Sequence, residues 1–225
     1  VLDPFCGCGT TIAAAQRLNR RWIGIDVTHL AVGLIKHRLA DSYGLKGGKD
    51  YEVVGEPTDL AGAEQLAQEN PWQFQAWALG LVGARTEASA KKGADRGIDG
   101  RLFFEDEQRA SRKQVILSVK AGNLHRNQVH ELRGVVEREK AAIGVLISFN
   151  EPTKPMREEA ASAGFYHSPG WNTSYPHIQL LTVGELLEGR QIDYPHVTGV
   201  TFKKAPKAEP EGPEALTLDD LEPGS

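Results

Sequence analysis

Apolar positions change rhythm once along the folded part of the chain, near Asn70. From Val1 to Glu69, short apolar runs alternate with helical stripes, predicting strand, helix, strand, helix, strand, helix. Strands are expected at Val1–Leu2, Trp22–Asp26 and Tyr51–Val54. Helices are expected at about Thr10–Leu18 and Thr28–Tyr43, and a third, capped by Thr58 or Asp59, ends near Gln68. The glycine-rich stretch Asp41–Lys49 reads as a flexible connection.

After Asn70 the pattern differs. Asn70-Pro71 is a cap-then-proline helix start, and Phe74, Trp77, Ala78 and Leu81 follow at helical spacing. Strands are expected at about Gly97–Phe104 and Gln114–Lys120, then a helix at Arg126–Lys140 and a buried strand at Ile143–Phe149. A helix at Lys154–Ala163, a strand at Ile178–Thr182 and a short helix at Val183–Leu187 complete the series. Between them His167–Tyr175 reads as a loop flanked by Tyr166, Trp171 and Tyr175, which either stack on bases or form a satellite core. His167 and His177 show no metal-ligand spacing. The fold class is α/β in two parts, 1–69 and 70–195, with an acidic Pro/Glu-rich tail at 196–225 expected to be disordered.

Composition narrows the function classes. Hydrophobic content of 40% is enough for a real core, and no apolar run approaches the roughly 18 residues of a membrane span. No signal peptide opens the sequence, so a cytoplasmic protein is expected. Val1 stands inside an apolar run, which reads as a fragment with an upstream part missing. Cys6 and Cys8 are too close for an ordinary disulfide and read as reduced thiols of a glycine turn. Net charge is −4, but the segment from Ala205 carries six acids and one base. Between Arg85 and Lys140, thirteen Lys or Arg face nine Asp or Glu. That local excess suits phosphate contacts, as does a merely solvated face.

Two motifs carry chemistry. Val-Leu-Asp-Pro-Phe-Cys-Gly-Cys-Gly-Thr-Thr is a strand ending in a glycine turn that opens a helix, where backbone can approach a ligand closely. Ile23-Gly-Ile-Asp26 ends a second strand in an acid, the place where parallel α/β folds present a carboxylate to a ribose. D-P-F-x-G-x-G-T-T resembles the S-adenosylmethionine loop of DNA methyltransferases that modify adenine N6 or cytosine N4. The resemblance implies a partial Rossmann-like segment, with Asp3, Pro4, Phe5, Gly7, Gly9 and Thr10 as cofactor loop and Asp26 as ribose acid. Cys8 departs from the usual serine. That family grips its target amino group with an acidic or amide residue followed by Pro-Pro and an aromatic, and no Pro-Pro occurs here. Asn70-Pro71-Trp72 is the nearest imitation, so the chain alone is not expected to methylate DNA.

The second motif is Gly-Ile-Asp99-Gly, a charged hairpin, and Ser118-Val-Lys120. A turn centred between Arg109 and Ala110 sets Asp99 opposite Lys120, with Cβ atoms about 5 Å apart and Ser118 on the same face. A carboxylate that fixes Mg²⁺ and a lysine that positions water or phosphate suit phosphodiester hydrolysis. An exposed cross-strand ion pair fits equally well. The wording resembles the Mrr-like branch of the PD-(D/E)xK nucleases and the nuclease-like region found behind amino-group methyltransferases. It implies a mixed-sheet α/β nuclease domain, with Asp99, Ser118 and Lys120 catalytic. Mg²⁺ would be held by Asp99 and the Val119 carbonyl, and the substrate would be double-stranded DNA. A homodimer remains an open arrangement. Ser118 stands where relatives carry Glu, Asp or Gln, and Gln73 or Gln75 where relatives often carry a helix Glu; Glu69 and Glu87 are substitutes without a fixed place. His125, Arg126, Gln128 and Arg133 either border the cleft or form a solvated helix face. The alternative to a nuclease is a catalytically weakened DNA-binding module that assists a methyltransferase.

Overall fold

Glycines at positive φ, Gly7 and Gly9, turn the chain in the six-residue loop between the first strand and the first helix. The computed structural model describes residues 1–87, 97–106 and 112–195. Strand β1 (Leu2–Asp3) pairs in parallel with β2 (Ile23–Gly24), with helix α1 (Thr10–Arg17) crossing between them. Helix α2 (His29–Tyr43) begins at Thr28, whose Oγ1 accepts the Ala31 N–H at 3.2 Å. Cys6, Ile12, Ile35 and Leu39 close a small core, with Trp22, Tyr43 and Tyr51 against it. The strand expected at Tyr51–Val54 does not form. Tyr51 makes only an isolated bridge to Gly47 and turns its ring toward Trp22, and residues 52–54 belong to no strand.

Helix α3 (Leu60–Glu69) is capped by Asp59, which accepts the Gly62 N–H at 2.8 Å. Helix α4 (Pro71–Leu81) is capped by Asn70, with Pro71 in its first turn. Both helices cover one face of a five-stranded mixed sheet, whose strands run β3 (Arg85–Thr86), β4 (Gly100–Glu105), β5 (Arg112–Lys120), β6 (Ile143–Ser148) and β9 (Ile178–Thr182) in spatial order. β5, β6 and β9 are parallel, and β3 and β4 antiparallel. Helices α5 (Arg126–Arg138) and α6 (Lys154–Ser162) cover the other face, and α7 (Val183–Leu187) joins the first.

Alternation along β5 explains the three layers. Val115 and Leu117 enter the core beneath α4, and Ile116 enters the core beneath α5. Ala63 of α3 is fully buried in the first of these cores, so α3 packs with the larger unit although composition grouped it with residues 1–69. Among the described residues, no helix is long and apolar enough to cross a membrane.

Two further expectations are corrected. Gly100 pairs with Leu117, so the hairpin register lies two residues from the one that set Asp99 opposite Lys120. Packing agrees with it: a Cβ on Gly100 would lie 2.6 Å from Leu79 Cδ2 and 3.2 Å from the Arg85 carbonyl oxygen, so glycine lets β4 lie close beneath α4. Residues 167–175 form most of a hairpin, β7 (Phe165–Ser168) against β8 (Thr173–Pro176). Asp106 anchors it by accepting the hydroxyls of Tyr166 and Ser168. The expected disordered tail, 196–225, and the turn at 107–111 lie outside the described residues.

Candidate functional site

The end of the sheet gathers the hairpin residues singled out by sequence. Asp99 leads into β4, and its main chain is tied on both sides. Its N–H donates to the Leu117 carbonyl (2.9 Å), and its carbonyl accepts from the Glu87 N–H (3.1 Å). Its Oδ2 accepts the Val119 N–H at 2.6 Å and the buried Ser118 hydroxyl at 3.2 Å. Asp99 therefore meets Ser118 first. Lys120 stands one pleat beyond Ser118 on the same face and is half-buried. No ion pair or hydrogen bond joins its ammonium to another group among the described residues.

For a divalent metal the hairpin offers little negative charge: Asp99 Oδ2 already accepts two hydrogen bonds, and Ser118 presents a hydroxyl in place of a second acid. Among the described residues, no three His, Cys, Asp or Glu side chains are grouped to hold an ion. Glu69 accepts from Gln65 at 2.7 Å, and Glu87 accepts from Arg101 at 2.7 Å.

Sequence reading missed Arg101 as a hub. Its guanidinium also reaches Gln114 Oε1 at 2.7 Å and Glu139 at 3.0 Å. Burial alone would lower its pKa, but the bonds to Glu87 and Glu139 outweigh that and raise it. Alternation of charged and apolar residues in β4 and β5 was the available signal. On α5, Arg126 is held by Glu159 at 2.6 Å, with His130 beside the same carboxylate, and Arg133 by Glu137 at 3.2 Å. These helix charges are matched locally, as on a solvated face. A cavity of about 350 Å³ is lined by Ala121, Phe149 and Asn150 and by Leu60, Glu64 and Gln68 of α3.

The glycine loop forms a second candidate site. Asp26 Oδ2 accepts the Gly7 N–H at 2.8 Å, and Oδ1 accepts the Thr28 N–H at 3.0 Å and the Thr28 hydroxyl at 2.9 Å. Burial opposes ionisation of Asp26, but these bonds outweigh it and hold the carboxyl below its ordinary value. A carboxylate has about four lone-pair positions, so room remains for a hydroxyl donor. Nothing lies within 4 Å of the position a Cβ would take on Gly7. A Cβ on Gly9 would strike Ile35 at 2.5 Å, so Gly9 serves packing. Asp3 accepts the Phe5 N–H at 3.2 Å, Thr10 accepts from Arg38 at 3.4 Å, and Pro4 and Phe5 lie exposed. Asp26 also lines a cavity of about 420 Å³ with Ile23, Ile25, Val53 and Val54, within the size range of small-molecule sites. The donor set and cavity fit an adenosyl group.

Comparison with known proteins separates the two parts. Residues 1–37 match a family model described as DNA methylase. The type II methyltransferase M.EcaI of Enterobacter cloacae is 50% identical over 40 residues, which cover 18% of this chain and only 9% of that protein. A solved MspJI restriction endonuclease, in complex with a 27-mer oligonucleotide, is similar at a TM-score of 0.38 and 16% identity, over 62% of this chain and 35% of that one. A further family model, NACHT-associated inactive Restriction Endonuclease 1, matches residues 71–188. Those residues are more than half of the chain, which therefore belongs to the NACHT-associated inactive Restriction Endonuclease 1 family.

Proposed function

We propose that residues 70–195 form a DNA-binding module with the fold of a PD-(D/E)xK nuclease but without cleavage activity. In this reading it works beside a methyltransferase segment in a restriction–modification protein. The observation that carries it is the engagement of Asp99 Oδ2 by Val119 N–H and Ser118 Oγ. A site with a hydroxyl in place of a second acid offers a divalent metal less negative charge, and the family name agrees with a site that does not cut. Lys120 then serves as a phosphate contact, since a lysine needs no metal to bind backbone charge.

The N-terminal part is read as the partial Rossmann-like segment of an amino-group DNA methyltransferase, with Gly7 and Asp26 holding the adenosyl part of S-adenosylmethionine. That cofactor would supply the methyl group. Asp26 would accept a ribose hydroxyl, and Gly7 would let the ligand approach the loop. Gripping the target base falls to residues absent from this chain.

Asp99 and Lys120 on one face favour the rival reading, a Mg²⁺-dependent endonuclease. Incubation of supercoiled plasmid with the protein and Mg²⁺ or Mn²⁺, alongside duplex binding by fluorescence anisotropy, separates the two. Binding without nicking is expected. Nicking that requires metal and is lost in Asp99→Asn overturns the non-cleaving reading.

A further inference from the structure

Gln73 belongs to α4, yet its side chain leaves the sheet and closes on the glycine-loop segment. Its Oε1 accepts the His29 N–H at 2.9 Å, and its Nε2 donates to the Val27 carbonyl at 2.9 Å. These two groups flank Thr28, which binds the Asp26 carboxylate through its own N–H and hydroxyl. Asp26 in turn receives the Gly7 N–H. A continuous chain of hydrogen bonds thus runs from Gly7 through Asp26 and Thr28 to the turn that Gln73 holds. The helices agree with it, since α2 packs directly on α4.

We infer that Gln73 is a positioning residue that couples nucleoside occupancy at Asp26 to the order of α4 and the endonuclease-like unit. This rests on the reading of Asp26 as a ribose acceptor. The primary amide is suited to the role because it accepts from one peptide group and donates to another two residues away, pinning both ends of the strand-to-helix turn. Neither alanine nor glutamate does both. A ligand hydroxyl that draws on Asp26 then acts on a turn already fixed to α4, and by linkage the order of α4 acts back on ligand affinity.

The test is titration calorimetry of the whole chain with S-adenosylhomocysteine, paired with amide hydrogen exchange, for wild type, Gln73→Ala and the near-isosteric Gln73→Glu. The ligand should slow exchange in wild-type α4 as well as at residues 28–31. Gln73→Ala should weaken binding roughly three- to tenfold and abolish the effect on α4. Gln73→Glu keeps the acceptor for His29 but sets a carboxylate oxygen against the Val27 carbonyl, so a loss at least as large as that of Gln73→Ala is expected. Equal affinities in all three proteins, with α4 exchange unchanged by ligand, overturn the coupling and leave the Asp26 reading intact. Failure of wild type to bind overturns that reading and the coupling with it.

Discussion

Ser118 donates its hydroxyl to Asp99 at 3.2 Å, so the Asp99 carboxylate meets a hydroxyl on the facing strand. The pair acts as an internal hydrogen bond at the end of β4 and β5, reinforced by the Val119 N–H. Replacing Ser118 with glutamate sets a second carboxylate at a buried position beside Asp99. Ser118→Glu should lower stability by about 1–3 kcal/mol in chelator. Mg²⁺ or Mn²⁺ should restore part of that loss, because a cation between two acids offsets their repulsion. Thermal melts with and without metal check both halves; an equal melting temperature in chelator would show that Ser118 and Asp99 do not interact.

Lys120 should be felt in binding and hardly in stability, because no partner among the described residues depends on it. Lys120→Ala should weaken duplex affinity across all sequences alike. It should also reduce the slope of log K against log salt by about 1, the loss of one phosphate contact. Anisotropy titrations at several salt concentrations measure it, and an unchanged slope removes Lys120 from the interface.

Arg101 joins Glu87, Gln114 and Glu139, so it ties β4 to β5 and to the end of α5. Arg101→Leu should cost about 1–3 kcal/mol by removing the charge-assisted bonds that Glu87 and Glu139 accept from Arg101. The bond from Arg101, followed by that from Arg138, holds Glu139 below its ordinary value of 4.5. A depressed carboxyl contributes stability that is complete above 4.5 and is lost as pH falls through the lower, folded-state value. Denaturant melts from pH 7 to pH 3 should therefore show a steeper acid loss for wild type than for Arg101→Leu.

Gly170 sits at the turn of the β7–β8 hairpin, where a Cβ would collide with the Asp106 carbonyl oxygen. No side-chain adjustment relieves a clash with backbone. Gly170→Ala should displace the hairpin from Asp106, release the Tyr166 and Ser168 hydroxyls and cost several kcal/mol, about 2–4. Faster hydrogen exchange across 165–176 is the direct readout, and wild-type protection there would contradict the packing.

Local chemistry was legible along the chain. Asn70-Pro71 and Asp59 announced their helices through capping, Ile178–Thr182 and Val183–Leu187 stand where their patterns placed them, and the D-P-F-x-G-x-G-T-T wording marked the methylase segment. Each of these depends on residues near one another in sequence. The relationships that decide function do not. The register that puts Asp99 against Ser118 goes with a close approach of Gly100 to Leu79, a contact with α4 that no turn rule contains. Gln73 stood out in the sequence only as a place where relatives carry a helix Glu, because its partners at Val27 and His29 are peptide groups and leave no mark in composition. The β7–β8 hairpin depends on Asp106, some sixty residues away, for acceptors that its own loop lacks. Helix starts and apolar faces follow from short-range sterics and periodicity, whereas register, clamps and buried acceptors follow from which surfaces meet once the layers close.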